Sequence, residues 1–118
     1  MKLSARLEKI VDLVGKDVRL ADIGTDHGYI PIELLKSEKI NYAILSDINK
    51  GPLENARKEI ERQGLVNKTD LRLGSGLEVL DTNEVDQVII AGMGGILISD
   101  LIEKKLDLCK KLDKMILQ

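Results

Sequence analysis

The chain has 118 residues, room for one domain or part of one. Hydrophobic residues make up 43% and charged residues 32%, which excludes collagen, a disulfide scaffold and a disordered tail. Eighteen basic against twenty acidic residues leave a net charge of −2, so this is no polycation built to coat nucleic acid, and any such contact needs a local patch.

Phe and Trp are absent and only Tyr29 and Tyr42 are aromatic, so the core must be aliphatic. The single Cys109 forms no internal disulfide, which fits a reducing cytosol and a cytoplasmic protein. The apolar runs fall far short of the ~20 residues of a membrane helix, so no membrane is expected. The charged start from Met1 to Arg6 does not read as a signal peptide. No His/Cys cluster has metal-ligand spacing, so no metal is expected.

In chain order, Leu3, Leu7, Ile10, Val11 and Val14 line one face of an amphipathic helix that Gly15 ends. Val18–Ile23 reads as a short buried strand that stops at Gly24. A second helix starts near Tyr29 to Pro31 and runs to about Ser37. Tyr42–Asp47 is a second strand, and Asn49–Pro52 turns into a third helix. That helix has Leu53, Ala56 and Ile60 at helical spacing, and Gly64 closes it. Thr69–Leu73 is a third strand and Val85–Ala91 a fourth. A helix follows from about Ile96 to Lys105, and Lys114–Gln118 is a fifth strand, cut off at the end of the chain.

Alternating strands and helices imply right-handed crossovers and an α/β, doubly wound, Rossmann-like parallel sheet. In such a sheet a ligand lies over the C-terminal strand ends, where strand order reverses. Four loops meet that condition, and all are rich in Gly, Asp or Asn. The first is Asp22-Ile23-Gly24-Thr25-Asp26-His27-Gly28-Tyr29. Gly24 permits a sharp turn and Gly28 a close approach at a helix N-terminus. Its spacing fails the Gly-x-Gly-x-x-Gly test for NAD, and Asp26 would sit badly beside a pyrophosphate. An amino-acid end with an ammonium group tolerates the acidic residues better. Asp22 also reads as a cap or turn residue.

The second loop, Asp47-Ile48-Asn49, offers a carboxylate able to accept both hydrogen bonds of a ribose diol, or a turn Asp before the third helix. The third, Gly74-Ser75-Gly76, suits a wall close to a flat ring, and equally a plain strand-to-helix turn. The fourth, Ala91-Gly92-Met93-Gly94-Gly95, puts three glycines in four positions, an entropic cost that implies close backbone approach to something. Met93 itself reads as a packing residue.

Together these loops resemble a class I S-adenosylmethionine-dependent methyltransferase, and more closely the bacterial tRNA adenine-N1 methyltransferase family that acts on the D-arm. The resemblance runs from Leu3-Ser4-x-Arg6-Leu7 through Ala21–Pro31, Ser46–Asn49 and Leu73–Leu77 to Ala91–Gly95. The Asp26-His27-Gly28-Tyr29-x-Pro31 stretch and the Gly-Met-Gly-Gly loop are its specific parts. It implies S-adenosylmethionine as cofactor and tRNA as substrate. Asp22, Gly24, Thr25 and Gly28 would shape the methionine pocket, Asp47 and Asn49 would lie at the ribose, and Ile48 would pack on the adenine. Gly74, Ser75 and Gly76 would wall the ring, and Ala91, Gly92 and Met93 would lie near the methyl group.

Ser75 stands where such families carry an acidic residue. Class I methyltransferases carry seven strands and this family a helical C-terminal extension. The chain therefore reads as an S-adenosylmethionine-binding domain over 1–118, truncated after about five strands.

Adenine N1 has a free lone pair, so no base is needed before attack, and the product is a cation. Asp26 is the candidate to stabilise that charge and take an N6 proton. His27 is a candidate donor or shuttle, and Tyr29 a candidate stacking platform for the base. Each also reads structurally, as cap, loop-fixing donor and packed ring. Lys2, Arg6 and Lys9, and Lys104, Lys105, Lys110, Lys111 and Lys114, form two basic faces interleaved with acids. Three functions stay open: a tRNA methyltransferase, a binding fragment inactive by itself, and a methyltransferase with another substrate. An unpaired fifth-strand edge invites a homodimer.

Overall fold

The computed structural model describes residues 4–25, 27–90 and 95–117. Its strands are β1 (Arg19–Ile23), β2 (Tyr42–Asp47), β3 (Thr69–Leu73), β4 (Gln87–Ile90) and β5 (Lys114–Leu117). Its helices are α1 (Ala5–Leu13), α2 (Tyr29–Lys36), α3 (Lys50–Arg62), α4 (Gly95–Lys104) and the short α5 (Leu106–Lys110). The five strands form one sheet in the order β3-β2-β1-β4-β5, every pair parallel. The chain winds outward from β1 to β3, then crosses back to place β4 on the other side of β1. The order therefore reverses between β1 and β4, which is the switch point of a doubly wound, Rossmann-like sheet.

Both sheet faces are covered, which is why the central strands read as continuous apolar runs. On one face Leu20, Ala43, Leu45 and Ile89 pack under Ile10 and Val14 at α1, Ile32 and Leu35 of α2, and Ala56 and Ile60 of α3. On the other face Ala21, Ile23, Ile44, Val88 and Ile90 pack under Leu77, Leu80, Ile98 of α4 and Leu108 of α5. Leu77 lies on a 3-10 turn, Gly76–Val79, that takes the place of a helix between β3 and β4.

Helix ends are satisfied by identifiable groups. Ser4 caps α1 by accepting the Leu7 N–H at 3.3 Å. At the other end, Lys39 Nζ donates to the Val11 carbonyl at 3.1 Å and Lys114 Nζ to the Leu13 carbonyl at 2.7 Å. These cations lie on last-turn carbonyls, at the negative end of the helix dipole, and the Val11 carbonyl also accepts the Val14 N–H at 3.3 Å. The buried Gln87 side chain accepts the Gly15 N–H at 2.9 Å, tying the α1 exit to β4. Pro31 and Pro52 both fall in the first turn of their helices, where a missing N–H costs nothing.

The observed elements follow the sequence reading closely, with differences at the ends. The fourth ladder begins at Gln87 rather than Val85 and runs to Ile90, and Ala91 lies outside the described residues. Asp86, just before it, accepts from the Arg19 backbone N–H at 2.8 Å and pairs with the Arg19 guanidinium at 2.9 Å. The helical stretch after β4 breaks at Lys105, with φ −131° and ψ 44°, so Cys109 lies on a separate short helix. Burial raises the Cys109 thiol pKa, consistent with an inert residue.

Candidate functional site: the carboxyl rim of the sheet

The first three loops begin at the same rim. After Ile23 the backbone turns at Gly24, φ 74°, and the Gly24 and Thr25 N–H groups both donate to the Ser46 carbonyl of β2, at 3.0 and 2.9 Å. The loop closes on itself where the Gly28 N–H meets the Thr25 carbonyl at 3.1 Å. Inside it, the Thr25 hydroxyl donates to Asp22 Oδ2 at 2.8 Å, and both residues are buried. Asp22 thus braces the loop from within, in keeping with its reading as a turn residue.

Gly28 is the N-cap of α2 with φ 74° and no side-chain cap. A Cβ there would lie 3.1 Å from Leu45 Cδ2 and 3.3 Å from Ala56 Cβ. Two constraints, handedness and space, therefore demand glycine. The benefit is a helix start pressed against β2, with its open N–H groups at the rim.

Asp47 ends β2 and is buried. Its Oδ1 accepts the Asn49 N–H at 2.9 Å, and its carbonyl accepts the Gly74 N–H at 3.0 Å. One residue therefore shapes its own turn and holds the start of the third loop. Asp22 pairs in register with Leu45, so Asp47 lies two residues further along the adjacent strand and on the same face. The two carboxylates are about 7 Å apart along the strand direction. Ile48, 67% exposed, and Leu73, 50% exposed, give this part of the rim an apolar surface.

In the third loop Ser75 is exposed, and its carbonyl accepts the Glu78 N–H at 3.1 Å. The glycines beside it are crowded by the protein itself. A Cβ on Gly74 would meet Val79 Cγ1 at 2.6 Å, and one on Gly76 would overlap Leu101 Cδ2 of α4. Packing therefore accounts for both, whether or not a ring lies against them. From below, Arg72 Nη1 donates to the Val79 carbonyl and to Glu84, each at 2.7 Å, and Arg72 Nε donates to Asp70 at 2.9 Å. This arrangement raises the Arg72 pKa, and the guanidinium hydrogen bond holds Glu84 down at about 2. His27 and Tyr29 stack with ring centroids 5.1 Å apart and planes 19° apart, and Tyr29 keeps 36% exposure.

Asp26, Ala91, Gly92 and Met93 lie outside the described residues, so the fourth loop and the candidate charge-stabilising group have no geometry here. Of the other expected site residues, Asp22, Gly24, Thr25, Gly28, Asp47, Ile48, Asn49, Gly74, Ser75 and Gly76 all fall on the loops at this rim. Sequence reasoning missed Leu73, Arg72 and Ser46. Ser46 is 1% exposed, and its Oγ has no hydrogen-bond partner among the described residues. The signal was a lone hydroxyl at the end of an apolar strand. Among the described residues no three His, Cys, Asp or Glu side chains group to hold a metal, and no helix is long and apolar enough to cross a membrane.

A five-stranded parallel sheet in this order, with acidic residues ending β1 and β2 at the switch-point rim, has the Rossmann-like architecture of class I methyltransferases. Residues 3–118 match the model of the methyltransferase domain family, and the chain belongs to that family. The Bacillus subtilis tRNA (adenine(22)-N(1))-methyltransferase is 37% identical over all 118 residues of this chain, which cover 50% of that protein. A Streptococcus pneumoniae structure in complex with S-adenosyl-L-methionine superposes with TM-score 0.93 at 38% identity, covering 98% of this chain and 55% of that one. M. capricolum TrmK, in complex with S-adenosyl-homocysteine, superposes with TM-score 0.81 at 37% identity, covering 87% of this chain and 47% of that one. The chain thus spans about half the length of the relatives it matches.

Proposed function

We propose that this protein is an S-adenosylmethionine-dependent methyltransferase that modifies N1 of an adenine in tRNA, acting in the cytoplasm. The observation that supports it most is the buried Asp47 carboxylate at the end of β2, on the same sheet face as Asp22 and beside the glycine-built start of α2. Such a rim fits S-adenosylmethionine. A strand-end carboxylate can accept a ribose diol, and the apolar Ile48 and Leu73 can take a nucleobase. The helix start at Gly28 and the Asp22–Thr25 brace shape the methionine end. The named activity of the Bacillus subtilis relative supports the tRNA adenine as substrate.

When bound, the cofactor supplies a methyl group on a sulfonium, ready for in-line displacement. The chain's residues hold and orient. Asp47 fixes the ribose and Ile48 covers the ring. The role assigned to Asp26 is to stabilise the charge that grows on the adenine and to take the N6 proton, while Tyr29, stacked with His27, would support the base once it leaves its stack. The resemblance assigns Gly92 and Met93 to the methyl group and the incoming base. No metal takes part.

Calorimetry with S-adenosylhomocysteine tests the cofactor, and tritiated methyl transfer to unmodified tRNA tests the reaction. Binding without transfer would support a second reading, a cofactor-binding part of a longer enzyme, which the half-length match to the relatives favours. Asp26→Ala should abolish most turnover, and activity within a few-fold of the parent would remove Asp26 from the mechanism. Among the described residues β5 is an edge strand with Leu117 exposed, which supports self-association that sedimentation would detect as a concentration-dependent dimer.

A further inference from the structure

One buried polar group at the rim is left unused by the fold. Ser46 lies on β2 immediately before Asp47, and its hydroxyl is enclosed without a hydrogen-bond partner among the described residues. An enclosed hydroxyl without a partner is destabilising, and few native positions keep one without a reason. Its neighbours are already committed. Its own carbonyl takes the Gly24 and Thr25 N–H groups. Its register partners are Ile23 on β1, which is apolar, and Arg72 on β3, whose guanidinium is held by Glu84, Asp70 and the Val79 carbonyl. On this face the 3-10 turn Gly76–Val79 packs against β2. Ser46 therefore stands between the loop after β1 and the glycine turn after β3, one residue before the carboxylate assigned to the ribose and on the other sheet face.

We infer that Ser46 is a positioning residue for the nucleoside end of the cofactor: its hydroxyl gains a partner from the Gly74–Gly76 turn when that turn settles on the nucleobase. The inference rests on the reading of the rim as an S-adenosylmethionine site. A ligand shifts an equilibrium only by its differential free energy between two states. A hydroxyl unpaired in the free protein and paired in the complex supplies such a difference. Ser46 then lowers the stability of the free protein and raises its affinity.

The test is Ser46→Ala, with Ser46→Cys as a size-matched variant lacking a strong donor. Calorimetry measures S-adenosylhomocysteine and adenosine, and denaturant unfolding is followed without ligand. The expected result is an unfolding midpoint equal to or above the parent's, with affinity for both ligands reduced about tenfold. Unchanged affinity in Ser46→Ala overturns the inference, whatever the midpoint does; a lowered midpoint with unchanged affinity would mean an ordered water pairs the hydroxyl. A loss for S-adenosylhomocysteine but not adenosine overturns the assignment to the nucleoside end. If Ser46→Ala loses both stability and affinity, Ser46→Cys decides: tenfold weaker binding supports the inference and parental binding overturns it. If the parent binds neither ligand, the cofactor reading itself falls, a result obtained before any variant is made.

Discussion

Gly28 and Gly64 make a matched pair for separating handedness from space. Their φ angles are 74° and 71°, so an alanine at either meets the same left-handed penalty, about 1–2 kcal/mol. Around Gly64 nothing lies within 4 Å of an added Cβ, whereas at Gly28 the contacts are 3.1, 3.3 and 3.4 Å, to Leu45, Ala56 and Ile32. Overpacking of this kind adds about 1–3 kcal/mol. A domain of 118 residues has an unfolding entropy of about 0.25 kcal/mol/K, so 1 kcal/mol moves the midpoint about 4 °C. Gly64→Ala should therefore lower Tm by about 4–8 °C and Gly28→Ala by roughly 8–20 °C, read by calorimetric melting. Gly28→Ala should also weaken S-adenosylhomocysteine, because α2 must move off β2 to make room. Equal Tm losses for the two variants would refute the argument that α2 is seated by close contact at its first residue.

Asp47→Asn keeps an oxygen for the Asn49 N–H but loses the charge, so the fold should persist while S-adenosylhomocysteine binding falls about 10- to 100-fold by calorimetry. Glu84, held at about 2 by Arg72 against an ordinary 4.5, has a depressed folded-state pKa, so its contribution is present above 4.5 and lost as pH falls toward 2. Glu84→Gln should accordingly be less stable than the parent at neutral pH, with the gap closing across that window; a gap that stays constant in acid denaturation would refute the assignment. Gln87→Met should cost about 1–3 kcal/mol in urea unfolding, because the Gly15 N–H loses its acceptor in a largely enclosed place.

Period and punctuation carried most of the architecture. Tyr42–Asp47 has the strand limits that its apolar run and flanking turns imply, since a strand covered on both faces leaves a continuous signature, whereas the edge strand Thr69–Leu73 alternates polar and apolar residues. The short helix Leu106–Lys110 and the 3-10 turn Gly76–Val79 were not legible, because short elements are decided by tertiary contacts rather than by periodicity. The site divides the same way. Asp22, Gly24, Gly28 and Asp47 stood out because polar or glycine positions ending apolar strands have few other uses. What each touches was hidden: Thr25 as the partner of Asp22, Val79 and Leu101 as the neighbours that crowd Gly74 and Gly76, and Arg72 as the clamp below. Those contacts join residues by folding, and no local pattern announces them.

The two lysines on the carbonyls of α1 come from opposite sides of the molecule, one before β2 and one at the start of β5. The opening helix is thereby buttoned to the closing strand across a sequence separation of 101 residues. Loosening either element would loosen the other, so amides of α1 and β5 should exchange with solvent as a single cooperative unit, distinct from the strands that bear the rim.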